Sequence, residues 1–179
     1  MNLSQKTLLQ IDQSISGKKS SLGGGSVAAL SGFLAVSLVQ KVLMFSLGKK
    51  RLKNFEKDFL AWQRELEKLA AQFLQLAKAD GLAYQRYMKD KDNLARKKKL
   101  ILVPLEIAQN GGRVLKVAKD LEEKGNQNLK SDSRVAQKLA AASVYGALEI
   151  VRGNLPLVVG GGFEAKIRQE IETLLKVVN

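Results

Sequence analysis

The sequence predicts an all-α fold, a multihelical bundle around a buried central apolar helix, and three observations predict it. First, Phe55, Phe59, Trp62, Leu66, Leu69, Phe73, Leu76, Asp80, Ala83 and Tyr87 follow an unbroken 4,3,4,3 spacing, the repeat of one helix face. Second, residues 26–47 form a run in which Lys41 is the only charge. A helix apolar on every side must be surrounded, by lipid or by other helices. Third, the only prolines are Pro104 and Pro156, and no long apolar alternation marks a strand. The length of 179 residues fits a single helical domain over 1–179.

Each element has its own signal. Residues 2–16 predict a short helix, with Leu3, Leu8, Ile11 and Ile15 near one face and Ser4 as N-cap. A loop over 17–25 ends in Gly23, Gly24 and Gly25. The apolar helix over 26–47 stops at Gly48, a natural C-cap, and Lys49, Lys50 and Arg51 follow it, where cations suit the helix dipole. The striped helix follows, roughly 50 Å long by helical rise, with Gly81 as a point where it can bend. Arg96, Lys97, Lys98 and Lys99 predict a charged loop. A helix over 101–123 follows, entered near Pro104, with Gly111 and Gly112 weakening its middle. After a polar loop over 125–132 comes a helix over 133–152, rich in Ala, Ser and Gly, suited to close helix packing. A second glycine cluster at 160–162 precedes a last helix over 164–177.

Composition excludes several chemistries. The chain has no Cys and no His, which removes a Cys/His zinc site, a thiol nucleophile, a Ser-His-Asp triad and disulfides. Acid–base work therefore falls to Asp, Glu, Lys or Tyr. The polar, helical start MNLSQKTLLQ carries no cleavable signal pattern, so the expected location is cytoplasmic. Residues 26–47 are long enough to cross a bilayer, but Gln40, Lys41 and several serines favour burial in protein, and no membrane association is expected. The net charge is +13, and more than half of the excess comes from residues 1–55, where Asp12 is the one acid. A positive field there favours an anionic ligand; a solvated basic face explains the same charge. Nucleic acid is not the expected partner, because the few aromatics belong to the stripe and form no stacking platform among basic residues.

Asp80 is the strongest candidate for chemistry. A carboxylate on an apolar stripe is costly to bury unless paired or protonated, and desolvation raises its pKa toward the range of a working acid or base. Tyr84, one turn on, is placed to orient it. The competing reading is that Gly81 turns the chain and leaves Asp80 exposed. Asp132, between Ser131 and Ser133, fits an N-cap of the helix over 133–152, a role compatible with lining a pocket. Asn126, Asn128 and Asn154 are polar residues at loops or helix ends. The glycine loop matches no phosphate-binding signature, yet amides at the start of a helix can hold a carboxylate.

Taken together, G23-G-G-S-V-A-A-L30, L47-G-K-K50, A79-D80 with A83-Y84, V103-P-L105, G125-N126, S131-D132, and G146-A-L148 with V151-R152 and N154-L155 resemble the cyclodeaminase/cyclohydrolase family acting on tetrahydrofolate. Its members are the cyclodeaminase half of formiminotransferase-cyclodeaminase and stand-alone methenyltetrahydrofolate cyclohydrolases. The resemblance implies a helical bundle, a homodimer, and a folate pocket beside the glycine loop. It places the catalytic aspartate at Asp80, as proton shuttle for 5-formiminotetrahydrofolate cyclodeaminase or 5,10-methenyltetrahydrofolate cyclohydrolase chemistry. It further implies that Gly23, Gly24, Gly25 and Ser26 shape the pocket, and that Lys49 and Lys50 favour the anionic glutamate or polyglutamate tail. Asp132 and Asn154 would bond the pterin or order the loops. No metal, and no cofactor beyond the tetrahydrofolate substrate, is implied.

The chain departs from the family pattern at Leu22, usually Pro; at Ile150, usually a polar Asn before Val151; at Gly153, usually aliphatic; and at Ser133, usually Leu. A catalytically silent homologue, a basic binding protein for an anionic ligand or nucleic acid, is the alternative these departures carry.

Overall fold

The computed structural model describes residues 3–17 and 22–178. Among them there is no strand. The helices are α1 (Leu8–Ser16), α2 (Gly24–Met44), α3 (Glu56–Lys89), α4 (Leu94–Lys124), α5 (Lys130–Asn154) and α6 (Gly162–Val178), joined in places by short 3-10 turns.

The predicted stripe builds the main seam. Phe59, Leu66, Leu69, Phe73, Leu76 and Ala83 are buried along α3, which runs unbroken through Gly81. α2 packs against α3, α4 and α5, and it lies antiparallel to α5: Ala28 meets Gly146, the Ser31 hydroxyl donates to the Leu139 carbonyl at 2.8 Å, and Lys41 pairs with Asp132 at 2.8 Å. The small residues of α5 allow a close approach. A Cβ on Gly111 of α4 would lie 2.9 Å from Val144 and 3.3 Å from the Ala140 carbonyl, so this glycine is a packing contact rather than a weak point.

Five expectations are corrected. α2 is not enclosed on all sides: its outer face leaves Val27, Leu34, Met44 and Phe45 40–67% exposed. The first helix starts at Leu8, not residue 2, because Thr7 caps it: the Thr7 hydroxyl accepts from the Gln10 amide, and the Gln10 side chain accepts from the Thr7 amide. Leu3 then lies in a separate 3-10 turn and is buried, while Leu8 faces solvent; the Ser4 side chain lies outside the described residues. The charged segment 96–99 is helical, since Asn93 caps α4 seven residues earlier than predicted. Pro104 sits inside α4 rather than in its first turn. Finally, α2 ends at Met44 with Phe45 as its C-cap residue, earlier than Gly48, which lies in the turn beyond with a φ of +71° that a side chain disfavours.

Candidate active site

The site lies where the start of α2 meets the middle of α3. Ser26 is fully buried in the first turn of α2, and its backbone N–H is among the amides a helix leaves unpaired at its start. That N–H donates to Asp80 Oδ2 at 2.9 Å, and the Ser26 hydroxyl approaches the same oxygen at 3.0 Å and the Ala77 carbonyl at 2.8 Å. With one proton, the hydroxyl can serve either protonation state of Asp80. It can donate to Oδ2 when Asp80 is charged, and to the Ala77 carbonyl when Asp80 is neutral.

Both of the Ser26 bonds to Asp80 use Oδ2, and Asp80 lines the cleft described below. Its Oδ1 lies over Gly25, where any Cβ would run into that oxygen and would stand 2.6 Å from the carboxyl carbon. The glycine is what lets the carboxylate rest on the helix end. Burial pushes the Asp80 carboxyl up from its ordinary value of 3.8, and the Ser26 hydroxyl and amide offset part of that rise.

A cleft of about 370 Å³ opens beside this pair, lined by Leu22, the three glycines 23–25, Asp80, Gly81, Tyr84, Gln85, Leu100, Ile150 and Asn154. Most of its surface is apolar, and no lysine or arginine lines it among the described residues. Ile150 packs over Gly24, 3.1 Å from where a Cβ would stand. Tyr84 forms part of the rim, 58% exposed, and among the described residues it makes no hydrogen bond to Asp80.

Asn154 is held by an unusual partner. Pro104 has no N–H, so the Leu100 carbonyl four residues earlier loses its helical donor. The Asn154 side-chain amide donates to that carbonyl at 3.0 Å, tying the end of α5 to α4 at the cleft wall. Asn154 also lines the cleft, and its amide oxygen can accept a hydrogen bond.

The structure therefore brings together Asp80, Gly23, Gly24, Gly25, Ser26, Tyr84 and Asn154. It does not bring Lys49, Lys50 or Asp132 to this cleft within one chain. Lys49 and Lys50 follow the far end of α2, about 30 Å away by helical rise. Asp132 is in the first turn of α5 rather than before it and pairs with Lys41 near that same far end. Asn126 is spent there too: its side chain donates to the Phe45 carbonyl and accepts from Arg51. Sequence reasoning missed Gly81, Gln85 and Leu100 as lining residues. Leu100 was hidden because α4 starts earlier than its proline suggested. Among the described residues, no group of three or more acidic side chains stands together as a metal site.

A sequence model described as Formiminotransferase-cyclodeaminase matches residues 7–173, nearly the whole chain. The chain belongs to the formiminotransferase-cyclodeaminase family. It is 26% identical to the formimidoyltransferase-cyclodeaminase of Sus scrofa, over 98% of this chain and 35% of that protein, so it spans about a third of that relative's length. It is 29% identical to the methenyltetrahydrofolate cyclohydrolase of Methylorubrum extorquens, over 86% of this chain and 81% of the relative. The fold matches the crystal structure of formiminotetrahydrofolate cyclodeaminase from Thermotoga maritima with a TM-score of 0.92 at 24% identity, covering 98% of this chain and 91% of that one. Family membership does not by itself assign a reaction.

Proposed function

We propose that this member of the formiminotransferase-cyclodeaminase family is a folate-dependent one-carbon enzyme acting at the carbon between N5 and N10 of a tetrahydrofolate derivative. The observation that carries this reading is the carboxylate of Asp80, raised in pKa by burial, lining an apolar cleft and bonded to Ser26 through Oδ2. As a cyclodeaminase, N10 attacks the N5-formimino carbon, and ammonia leaves as the methenyl bridge closes. As a cyclohydrolase, water adds to that carbon of the 5,10-methenyl bridge, and the C–N5 bond breaks to leave the N10-formyl product. Both reactions pass through a tetrahedral carbon and need one group that takes a proton and gives it back.

Asp80 supplies that group. Its charged form accepts the proton of the attacking water or nitrogen at Oδ1, while Ser26 holds Oδ2 in place. Its neutral form returns the proton to the departing nitrogen. The apolar walls from Leu22, Leu100 and Ile150 keep bulk water from competing, and Asn154 Oδ1 offers the pterin an acceptor. The reading needs no metal and no cofactor beyond the substrate. It places the protein in the cytoplasm as a single domain, working as a homodimer, without nucleic acid or membrane as partner.

The test is direct. Purified protein is mixed with 5,10-methenyltetrahydrofolate, whose near-ultraviolet absorbance falls on hydrolysis, and separately with 5-formiminotetrahydrofolate, whose conversion raises it. Turnover of one substrate above buffer, abolished by Asp80→Asn with the helical circular dichroism unchanged, is the expected result. Both substrates untouched by the wild-type chain overturn the proposal in favour of a binding protein.

A further inference from the structure

The basic run over 96–99 takes no part in the Asp80 cleft. It belongs to a wider basic segment: residues 86–99 hold seven Lys or Arg against two acids, Asp90 and Asp92. Because α4 begins inside this segment, Arg96 and Lys99 of α4 are brought beside Arg86 of α3 around a second cavity, of about 460 Å³. That volume is within the range of small-molecule sites.

The cavity and the cleft stand on opposite sides of α3. Asp80, Gly81, Tyr84 and Gln85 line the cleft, whereas Ala79, Leu82, Ala83 and Arg86 line the cavity. On a helix of 3.6 residues per turn the two sets centre about 180° apart. A molecule in the cleft is therefore separated from the cavity by the helix itself.

Arg96 is held across the α3–α4 turn. Its Nη1 donates to the Arg86 carbonyl, in the last turn of α3, at 3.0 Å and lies 3.5 Å from Asp90 Oδ2. Its other N–H donors, and the side chains of Arg86 and Lys99, have no hydrogen bond or ion pair among the described residues, and no acid lines the cavity among them. Cations gathered at one hollow repel one another, and an anion between them relieves that repulsion. Guanidinium forks match phosphate oxygens two at a time. The rest of the lining is apolar apart from Asn93: Ala79, Ala83 and Ala95, whose short side chains leave room for a ring, with Leu82 and Val103.

We propose that this cavity is a second ligand site, for an organic diphosphate with a flat apolar body, the chemistry of a nucleoside diphosphate. Arg86 and Arg96 take the phosphate oxygens, Lys99 supplies the third positive charge, and the alanine-lined wall receives the ring. A monophosphate leaves one cation unmatched, whereas a diphosphate matches all three. A single-stranded nucleic acid fits less well, because no aromatic side chain lines the cavity to stack its bases. The site does not depend on the folate reading.

The probe is ADP, titrated calorimetrically into the whole chain. It should bind with a Kd below about 100 μM, weakening as salt rises. Arg86→Ala and Lys99→Ala remove side chains with no partner among the described residues, and each should raise Kd about tenfold. Arg96→Lys keeps the charge, loses the fork and should also weaken binding. Lys97→Ala removes a charge from the same run without lining the cavity and should leave Kd unchanged; an equal loss there reduces the effect to a general positive field and overturns the site. Pyrophosphate should bind about tenfold more weakly than ADP, since it has nothing to lay on the apolar wall, and equal affinity overturns that assignment. Excess 5-formyltetrahydrofolate should leave ADP binding intact; competition would merge the cavity with the cleft and overturn a separate site. The proposal also fails if ADP shows no saturable binding at millimolar concentration, or if single-stranded RNA or phosphatidylglycerol vesicles bind more tightly than ADP.

Discussion

Gly25→Ala isolates the contact on which the catalytic reading depends. The added methyl would collide with Asp80 Oδ1 and stand 2.6 Å from the carboxyl carbon and 2.9 Å from Oδ2. Ordinary carbon contacts begin near 3.4 Å, so the carboxyl must retreat by about 1 Å or rotate away from Ser26. A displacement of about 1 Å at a reacting group costs on the order of 10²-fold in rate. The fold is asked for much less. Overpacking costs about 1–3 kcal/mol, and exchanging a helical glycine for alanine returns up to about 1 kcal/mol. The expected outcome is a folded variant, less stable by at most about 3 kcal/mol, whose kcat/KM for the active substrate falls about a hundredfold. Urea denaturation and the absorbance assay measure the two quantities on one preparation. Activity within a few-fold of wild type would refute the argument, because the carboxylate would then not need its seat on the glycine.

Three further outcomes are expected. Because burial raises the folded pKa of Asp80, the folded chain keeps a proton that the unfolded chain has lost, and Asp80's contribution falls as pH rises from 3.8 through that raised pKa. Asp80→Asn should therefore gain stability relative to wild type over that interval, read as a pH-dependent difference in urea midpoints; a constant difference contradicts the raised pKa. Asn154→Ala should cost about 1–2 kcal/mol by orphaning the Leu100 carbonyl, and less in a Pro104→Ala background, where residue 104 regains its N–H. A double-mutant cycle should show about 1 kcal/mol of coupling, and strict additivity would reject the link. Ile150→Asn, which adds a polar group to the cleft wall, should shift the acid limb of the kcat/KM profile to lower pH; an unmoved limb would put Asp80's desolvation elsewhere.

The all-α class and the α3 seam were legible because the 3.6-residue period there is unbroken over 34 residues, and Asp80 stood out as the one polar position on it. The start of α4 was not legible, because Pro104 and the basic run 96–99 both argue against a helix interior. Only the tertiary contact from Asn154, 50 residues later, supplies what the proline removes. Lys49, Lys50 and Asp132 were grouped with the glycine loop by their resemblance to family motifs, which carries no distance. The length of α2 sets that distance, and it separates them from Asp80 within one chain. The all-round apolarity of α2 was read as enclosure, whereas three neighbouring helices cover only part of its circumference.

The value of the site lies in a balance between two opposed effects on one carboxyl. The amide of Ser26 and the start of α2 stabilise the charged form; on a solvent-exposed helix end such contacts would hold Asp80 low, and it could take a proton but not return one near neutral pH. Burial between α2, α3 and α5 favours the neutral form, and here it outweighs the hydrogen bonds. Burial without Ser26 would carry the group further, toward an acid that could donate but not accept. The net result is a carboxyl raised by burial against two opposing hydrogen bonds, with the Ser26 hydroxyl within reach of both Asp80 and the Ala77 carbonyl. Placing Ile150 over Gly24 moves this balance toward the neutral form without touching the hydrogen bonds. On the proposed reading, an apolar residue at that position would tune Asp80 rather than remove it, and the departure at Ile150 would leave its hydrogen bonds to Ser26 in place.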